Sequence, residues 1–299
     1  MFEDIKKNKI KSSFIITGFL LMISLIIYYI CMALDFSGPT AIFIAMLFSV
    51  SLTFASYYNS DKIILSTTKA RSATLEEDRK LVHILDALMI SSGLSHRPKL
   101  YVIEDPQPNA FATGRNPEHS IICVTTGLLE KLEYYELEGV IAHEMGHIKN
   151  YDILLTSVVT VMVGFLVMVS DLFSRSLFWK GHRDRDSDNK GNAILMVIGL
   201  LLLIISPILG KIMQMALSRR REYLADATAA EITRNPQGLI SALRKLDSDQ
   251  NELRTANKAT ANLFIVTPFK DKKEGKKKAG LFDTHPSIDD RIEALQNIQ

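Results

Sequence analysis

His143-Glu144-Met145-Gly146-His147 sets two imidazoles four residues apart, with a carboxylate directly after the first. If this stretch is helical, both histidines project from one face and can converge on a single Zn²⁺. Glu144 then lies about a third of a turn away, close enough to reach a water at the ion without binding the ion itself. Val140, Ile141, Ala142 and Ile148 surround the motif with apolar side chains. Burying two imidazoles and a carboxylate among them is costly unless they are paired, and a metal provides the pairing. Zinc in such a place acidifies water. Glu144 would take the proton as a peptide carbonyl is attacked, then return it to the leaving amine.

Catalytic zinc usually takes three protein ligands and keeps one position open. Downstream, Arg221-Glu222-Tyr223-Leu224-Ala225-Asp226 again places two acids four apart. Glu222 could be the third ligand, and Asp226 could accept from the second nitrogen of a ligand histidine, fixing its tautomer. The alternative is an exposed acidic pair that neutralises Arg219, Arg220 and Arg221. The developing oxyanion also needs a second donor beside the metal, for which His285 or a tyrosine is available.

These residues need elements to hold them. The patterning predicts helices over 75–93, 134–150, 214–233 and 235–247, the last with Asn235 as N-cap and Pro236 at the first position. Runs 99–103 and 121–124 read as strands. Asp105-Pro-Gln-Pro, Gly114 and Asn116-Pro117 mark the turns between them. The expected fold class is therefore α+β, mostly helical with a small sheet. The run Asp271-Lys-Lys-Glu-Gly-Lys-Lys-Lys reads as a solvated loop.

Apolar blocks interrupt this polar frame. The chain has 299 residues, 47% hydrophobic and 23% charged, with a formal charge of +2, and its mean hydropathy is +0.11. Near-neutral charge makes nucleic acid a poor partner. Cys31 and Cys123 do not make a disulfide framework, which points the catalytic part toward a reducing compartment. Segment 14–34 carries no charge and is long enough, as a helix, to cross a hydrocarbon core of roughly 30 Å. A turn at Asp35-Phe36-Ser37-Gly38-Pro39 leads to a second run at 40–58. The first run is too long for a signal peptide, and another span follows at once. Lys6, Lys7, Lys9 and Lys11 place the start in the cytoplasm; Lys62, Lys69 and Arg71 place the chain there again after two crossings.

Segments 153–170 and 193–217 form a second apolar pair, with Pro207 expected to kink the latter. Their connection carries Arg175, Lys180, Arg183, Arg185 and Lys190, which opposes an outside location. The pair either spans or re-enters, with spanning preferred, so the expected total is two to four transmembrane helices. Either way 59–152 and 218–299 lie on one side, where together they are large enough for one domain. The expected organisation is a hairpin at 1–58, a first protease part at 59–152, a second hairpin at 153–217 and a second protease part at 218–299. The apolar runs carry almost no ionisable residue at mid-depth, which argues against a transporter.

In order along the chain stand the Lys-rich start, Asn109-Ala-Phe-Ala-Thr-Gly114, Val124-Thr-Thr-Gly-Leu-Leu, His143–His147, Arg220-Arg-Glu-Tyr-Leu-Ala-Asp226, Asn262-Leu-Phe264 and Thr284-His-Pro-Ser287 with Arg291. This series resembles the HtpX family of membrane metalloproteases, relatives of the CaaX prenyl endopeptidases. The resemblance implies a gluzincin-type fold with one Zn²⁺ per chain, held by His143, His147 and Glu222. It implies that Asn109 and His285 contact the substrate backbone or the oxyanion, and that Arg291 pairs with Asp226. The residues alone would read as a turn asparagine, a His-Pro turn and a surface arginine. It further implies that the strand at 121–124 is an edge to which an extended substrate adds. The activity implied is cleavage of damaged or misassembled membrane proteins under stress, at the cytoplasmic face of a bacterial plasma membrane. The partners implied are unfolded and membrane-protein substrates and the bilayer. A narrower processing protease and a non-catalytic zinc scaffold are the alternatives; the presence of Glu144 speaks against the scaffold.

Overall fold

The computed structural model describes residues 2–33, 35–165, 219–249, 251, 260, 263–266 and 286–298. The expected elements at 166–218, including Pro207 and the basic connection, lie outside the described residues, as does the 271–278 loop.

Two long helices open the chain, α1 (Phe2–Ala33) and α2 (Gly38–Thr68). Asp35 turns left-handed at φ 63° and Pro39 sits at the start of α2, so the break between them is sharp. Ser13–Met32 and Gly38–Thr68 are long and apolar enough to cross a membrane. The buried side of α2 is rich in small residues, Ala41, Ala45, Ser49, Ser56 and Ser60. Small side chains let the two backbones approach, and Ser24 Oγ lies 2.6 Å from Ser49 Oγ across the seam. The second helix does not stop at 58. It continues to Thr68, and its last turns enter the polar domain, where Ile64 packs with Ile103, Phe111, Ile121, Cys123 and Phe264. No linker separates membrane hairpin from catalytic domain.

A mixed four-stranded sheet follows: β1 (Arg71–Ser72), β2 (Lys99–Ile103), β3 (Ala110–Gly114) and β4 (Ser120–Thr125), in the order β1-β2-β4-β3. Parallel to β2 and antiparallel to β3, β4 has Leu100 opposite Ile122 on one side and Ala112 opposite Ile122 on the other. The expected edge at 121–124 is thus an interior strand, buried at every position. A continuous apolar run reads equally as edge or centre, and here it is the centre. The outer strand on that side is β3. Two of its backbone groups are engaged within the chain: Ala110 O accepts from Ile265 N at 2.9 Å, and Gly114 N donates to Ser157 Oγ at 3.1 Å.

Helix α3 (Arg79–Ser92) starts four residues later than the apolar pattern suggests. Asp78 accepts from Arg71 Nη1 at 2.8 Å and from Thr74 N at 3.0 Å, which folds the preceding residues into a turn. After the short α4 (Thr126–Lys131) comes α5 (Tyr134–Lys149), which carries the His-Glu-x-x-His motif. At Tyr151 (φ 59°) the chain turns, and the next helix, α6 (Asp152–Phe165), leaves at 88° to α5. Val158 and Met162 of α6 pack on Phe19 and Ile23 of α1. Among the described residues, the remaining helices are α7 (Arg219–Thr233), α8 (Pro236–Ser248) and α9 (Ile288–Gln296).

One core joins the two polar stretches. Leu81, Ile84 and Leu85 of α3, Val140 and Ile141 of α5, Leu239 and Leu243 of α8 and Leu295 of α9 belong to it. Two glycines set how closely α5 is approached. A Cβ on Gly139 would stand 2.7 Å from Leu239 N, and one on Gly146 would stand 3.1 Å from Ala225 Cα. Without side chains there, α7 and α8 lie directly against the motif helix. Glu136 fixes the register at its start, accepting from Glu133 N at 2.8 Å, Ser241 Oγ at 2.6 Å and Lys245 Nζ at 2.6 Å.

Candidate metal centre

The close approach at Gly146 brings Glu222 of α7 over the two histidines of α5. His143 Nε2 and His147 Nε2 are 3.2 Å apart. Glu222 Oε2 is 3.8 Å from the first, and its Oε1 is 3.6 Å from the second. Bonds of about 2.0–2.1 Å at a tetrahedral centre put ligand atoms roughly 3.3 Å apart. Two imidazoles and a carboxylate at 3.2–3.8 Å therefore suit a single cation. Among the described residues, this trio is the one group whose donor atoms cluster in this way.

The surroundings prepare the histidines differently. His143 is 1% exposed. Burial, helped by the nearby Arg291 guanidinium, outweighs Asp226 and holds its imidazole below the ordinary histidine value, in the neutral form that binds metals. Its Nδ1 lies 2.8 Å from Asp226 Oδ1, so a proton on Nδ1 leaves Nε2 as the donor toward the cluster. Burial alone would raise the Asp226 carboxyl, but Arg291 and His143 overcome it and keep the group below the usual carboxylate range. Arg291 donates to Asp226 through Nε at 2.9 Å and Nη2 at 2.7 Å. For His147, burial is outweighed by Asp152, Glu222 and Glu144, which push the imidazole up to about 9. A cation entering here competes with that proton.

Glu144 is 2% exposed. Burial and the neighbouring Glu222 push its carboxyl up to about 7, against the lowering influence of His147, Arg291 and the Ala112 amide. A carboxyl tuned near neutrality suits proton transfer in both directions. The hydrogen bond from Ala112 of β3 ties it to the outer strand.

Of the residues singled out in the sequence, His143, Glu144, His147, Glu222, Asp226 and Arg291 meet in this one buried cluster. His285 lies outside the described residues. Asn109, expected as a substrate contact, stands just before β3 against residues 263–266. It is fully buried (0% exposed), its Nδ2 donates to Val266 O at 2.9 Å, and its Oδ1 accepts from Ala110 N and Val266 N. The amide pins residues 263–266 against the start of β3, where Phe264 stacks edge-on against Phe111 at 5.1 Å. Arg291 Nη1 donates to Ile265 O at 3.2 Å, so this strap is tied to the cluster as well. Cys123 is buried beneath the sheet with its thiol pushed well up, which leaves it inert.

Two residues of the cluster went unread in the sequence. Asp152 lies 3.3 Å from His147 Nδ1 through Oδ2, and Arg221 Nη1 lies 3.5 Å from Asp152 Oδ1. Only the left-handed turn at Tyr151 folds Asp152 back to His147, and no periodicity announces that turn. Arg221 was indistinguishable from its neighbours in a run of three arginines.

The sequence pattern of peptidase family M48 matches residues 75–299. Among curated proteins, the chain is 46% identical over 263 residues to a protein named "Protease HtpX homolog" from Caldanaerobacter subterraneus, covering 87% of this chain and 86% of that one. A protein of the same name from Dictyoglomus thermophilum is 42% identical over 298 residues, 99% of this chain and 94% of the relative. A third, from Ligilactobacillus salivarius, is 39% identical with both chains fully covered. Among solved structures, the chain is similar to the crystal structure of S. mikatae Ste24p, with 22% identity and a TM-score of 0.49, over 99% of this chain and 67% of that chain. With the family pattern over most of its length and relatives this similar across nearly all of it, the chain belongs to peptidase family M48 and is a membrane metalloprotease.

Proposed function

We propose that the chain is a zinc endopeptidase that cleaves misfolded or damaged membrane proteins at the cytoplasmic face of a bacterial plasma membrane, in quality control under stress. The observation that carries this reading is the convergence of His143, His147 and Glu222 donor atoms at 3.2–3.8 Å, with Glu144 buried on the same helix. A donor set of two imidazoles and one carboxylate favours Zn²⁺, held by His143, His147 and Glu222. The ion supplies Lewis acidity to the scissile carbonyl and to the attacking water.

The remaining chemistry belongs to the chain. Glu144 takes a proton from the water and delivers it to the leaving amine. Asp226, anchored by Arg291, fixes the ring of His143. His285 is the proposed donor to the developing oxyanion, and Asn109 is the proposed contact to the substrate backbone, beside the strap at 263–266.

The hairpin within 1–58 anchors the enzyme, while 59–152 and 218–299 form the protease on either side of a second hairpin at 153–217. The Lys-rich start, with Lys62 in the last turns of α2 and Lys69 and Arg71 just after it, supports the cytoplasmic placement of the site. The direct passage of α2 into the sheet fits substrates that are themselves held in the bilayer.

Proteins trapped on Glu144→Gln in cells with a burden of misassembled membrane proteins, then identified by mass spectrometry, test the substrate class. Enrichment of diverse misassembled membrane proteins over wild type is expected. Recovery of one defined peptide or of soluble proteins alone would turn the reading to a processing protease.

A further inference from the structure

The two histidines of the cluster are held in parallel ways. His143 Nδ1 meets Asp226, and Asp226 meets Arg291. On the other side, His147 Nδ1 meets Asp152 Oδ2 at 3.3 Å, and Asp152 Oδ1 faces Arg221 Nη1 at 3.5 Å. All four supporting residues are buried. A buried carboxylate without a counter-charge is costly, and each of these has an arginine beside it. Helix α7 serves both sides within six residues: Arg221 to one, Glu222 toward the centre and Asp226 to the other.

We infer that Asp152, backed by Arg221, is the positioning residue of His147, so that each metal-ligand histidine is oriented by its own carboxylate–arginine arm. The inference rests on the proposed ligand set. An imidazole rotates about its side-chain bonds unless its second nitrogen is held, and partners of this kind typically affect metal affinity by about 10–100-fold. The two arms are anchored in different places. Arg291 ties the first to α9 and the strap at Ile265. Asp152 opens α6, whose Val158 and Met162 rest on Phe19 and Ile23 of the membrane helix α1. The second ligand is thereby referenced to the membrane hairpin and the first to the soluble core.

The test uses the full-length protein in detergent micelles, stripped by chelation and titrated with Co²⁺ or Zn²⁺ against a chromogenic chelator. Wild type is expected to bind one ion. Asp152→Ala is expected to bind about 10–100-fold more weakly, and Asp152→Asn, which keeps an acceptor for Nδ1–H, to recover part of the loss. The visible Co²⁺ spectrum is expected to change most in Asp152→Ala, where the ring of His147 loses its partner, and less in Asp152→Asn, whose neutral acceptor holds the ring more weakly. Wild-type affinity and spectrum in the variants would overturn the inference, whatever their melting temperatures. Where Asp152→Ala fails to fold, the near-isosteric Asp152→Asn decides on the same readouts. Absence of binding by wild type would instead remove the ligand assignment itself.

Discussion

Replacing Glu144 by Gln is expected to lower cleavage of an unfolded substrate such as casein by on the order of 10²–10⁴-fold, with metal content and fold unchanged. The amide has the volume of the carboxyl and can remain in the same buried place, 2% exposed on α5. It cannot take a proton from water. Burial, with Glu222 beside it, pushes the Glu144 carboxyl up to about 7, a value suited to proton transfer near neutrality. The amide also removes a negative charge from beside Glu222, which relieves repulsion there. Initial rates on labelled casein, together with metal analysis of the same preparation, separate the two effects. Full activity in Glu144→Gln would remove the proposed proton carrier.

Arg291→Ala is expected to destabilise the protein by about 3–5 kcal/mol, the usual cost of leaving a buried charge without its partner. Arg291 is 1% exposed and contributes two hydrogen bonds to Asp226, one to Ile265 O and a contact at 3.7 Å with Glu222 Oε2. Its loss strands a carboxylate in the core and releases the strap over β3 together. Lysine keeps the charge but cannot bridge both oxygens of Asp226, so Arg291→Lys is expected to fall between wild type and Ala. The pH dependence has a definite sign. Asp226 is held below its unfolded value of 3.8, so its contribution is fully present above that pH and is lost as pH falls through the lower folded value. Thermal unfolding in detergent across pH 3–8 measures both effects. A variant as stable as wild type would show that the pair holds nothing together.

The residues of the candidate site were legible because they sit at fixed helical spacings. His143 and His147, like Glu222 and Asp226, are four apart, and a helix delivers such pairs to one face whatever surrounds it. The membrane hairpin was legible from its uncharged length. What the sequence hid depended on chain reversals and on strand order. The run at 121–124 is equally apolar as an edge or as a centre, and only pairing with β2 and β3 decides it. Asp152 reaches His147 through one left-handed residue, Tyr151, which has no glycine or proline to betray it. The Asn109 side chain meets Val266, 157 residues away in sequence. Long-range partners of this kind leave no mark in local patterning.

The account stands most directly on the metal content of Glu222→Ala, measured by elemental analysis of the purified full-length protein beside wild type. Loss of the third ligand leaves two imidazoles that cannot hold the ion through purification, so the account predicts about one zinc in wild type and near none in the variant. Equal zinc in both proteins would contradict it, because the ion would then be held by residues other than the cluster at 3.2–3.8 Å.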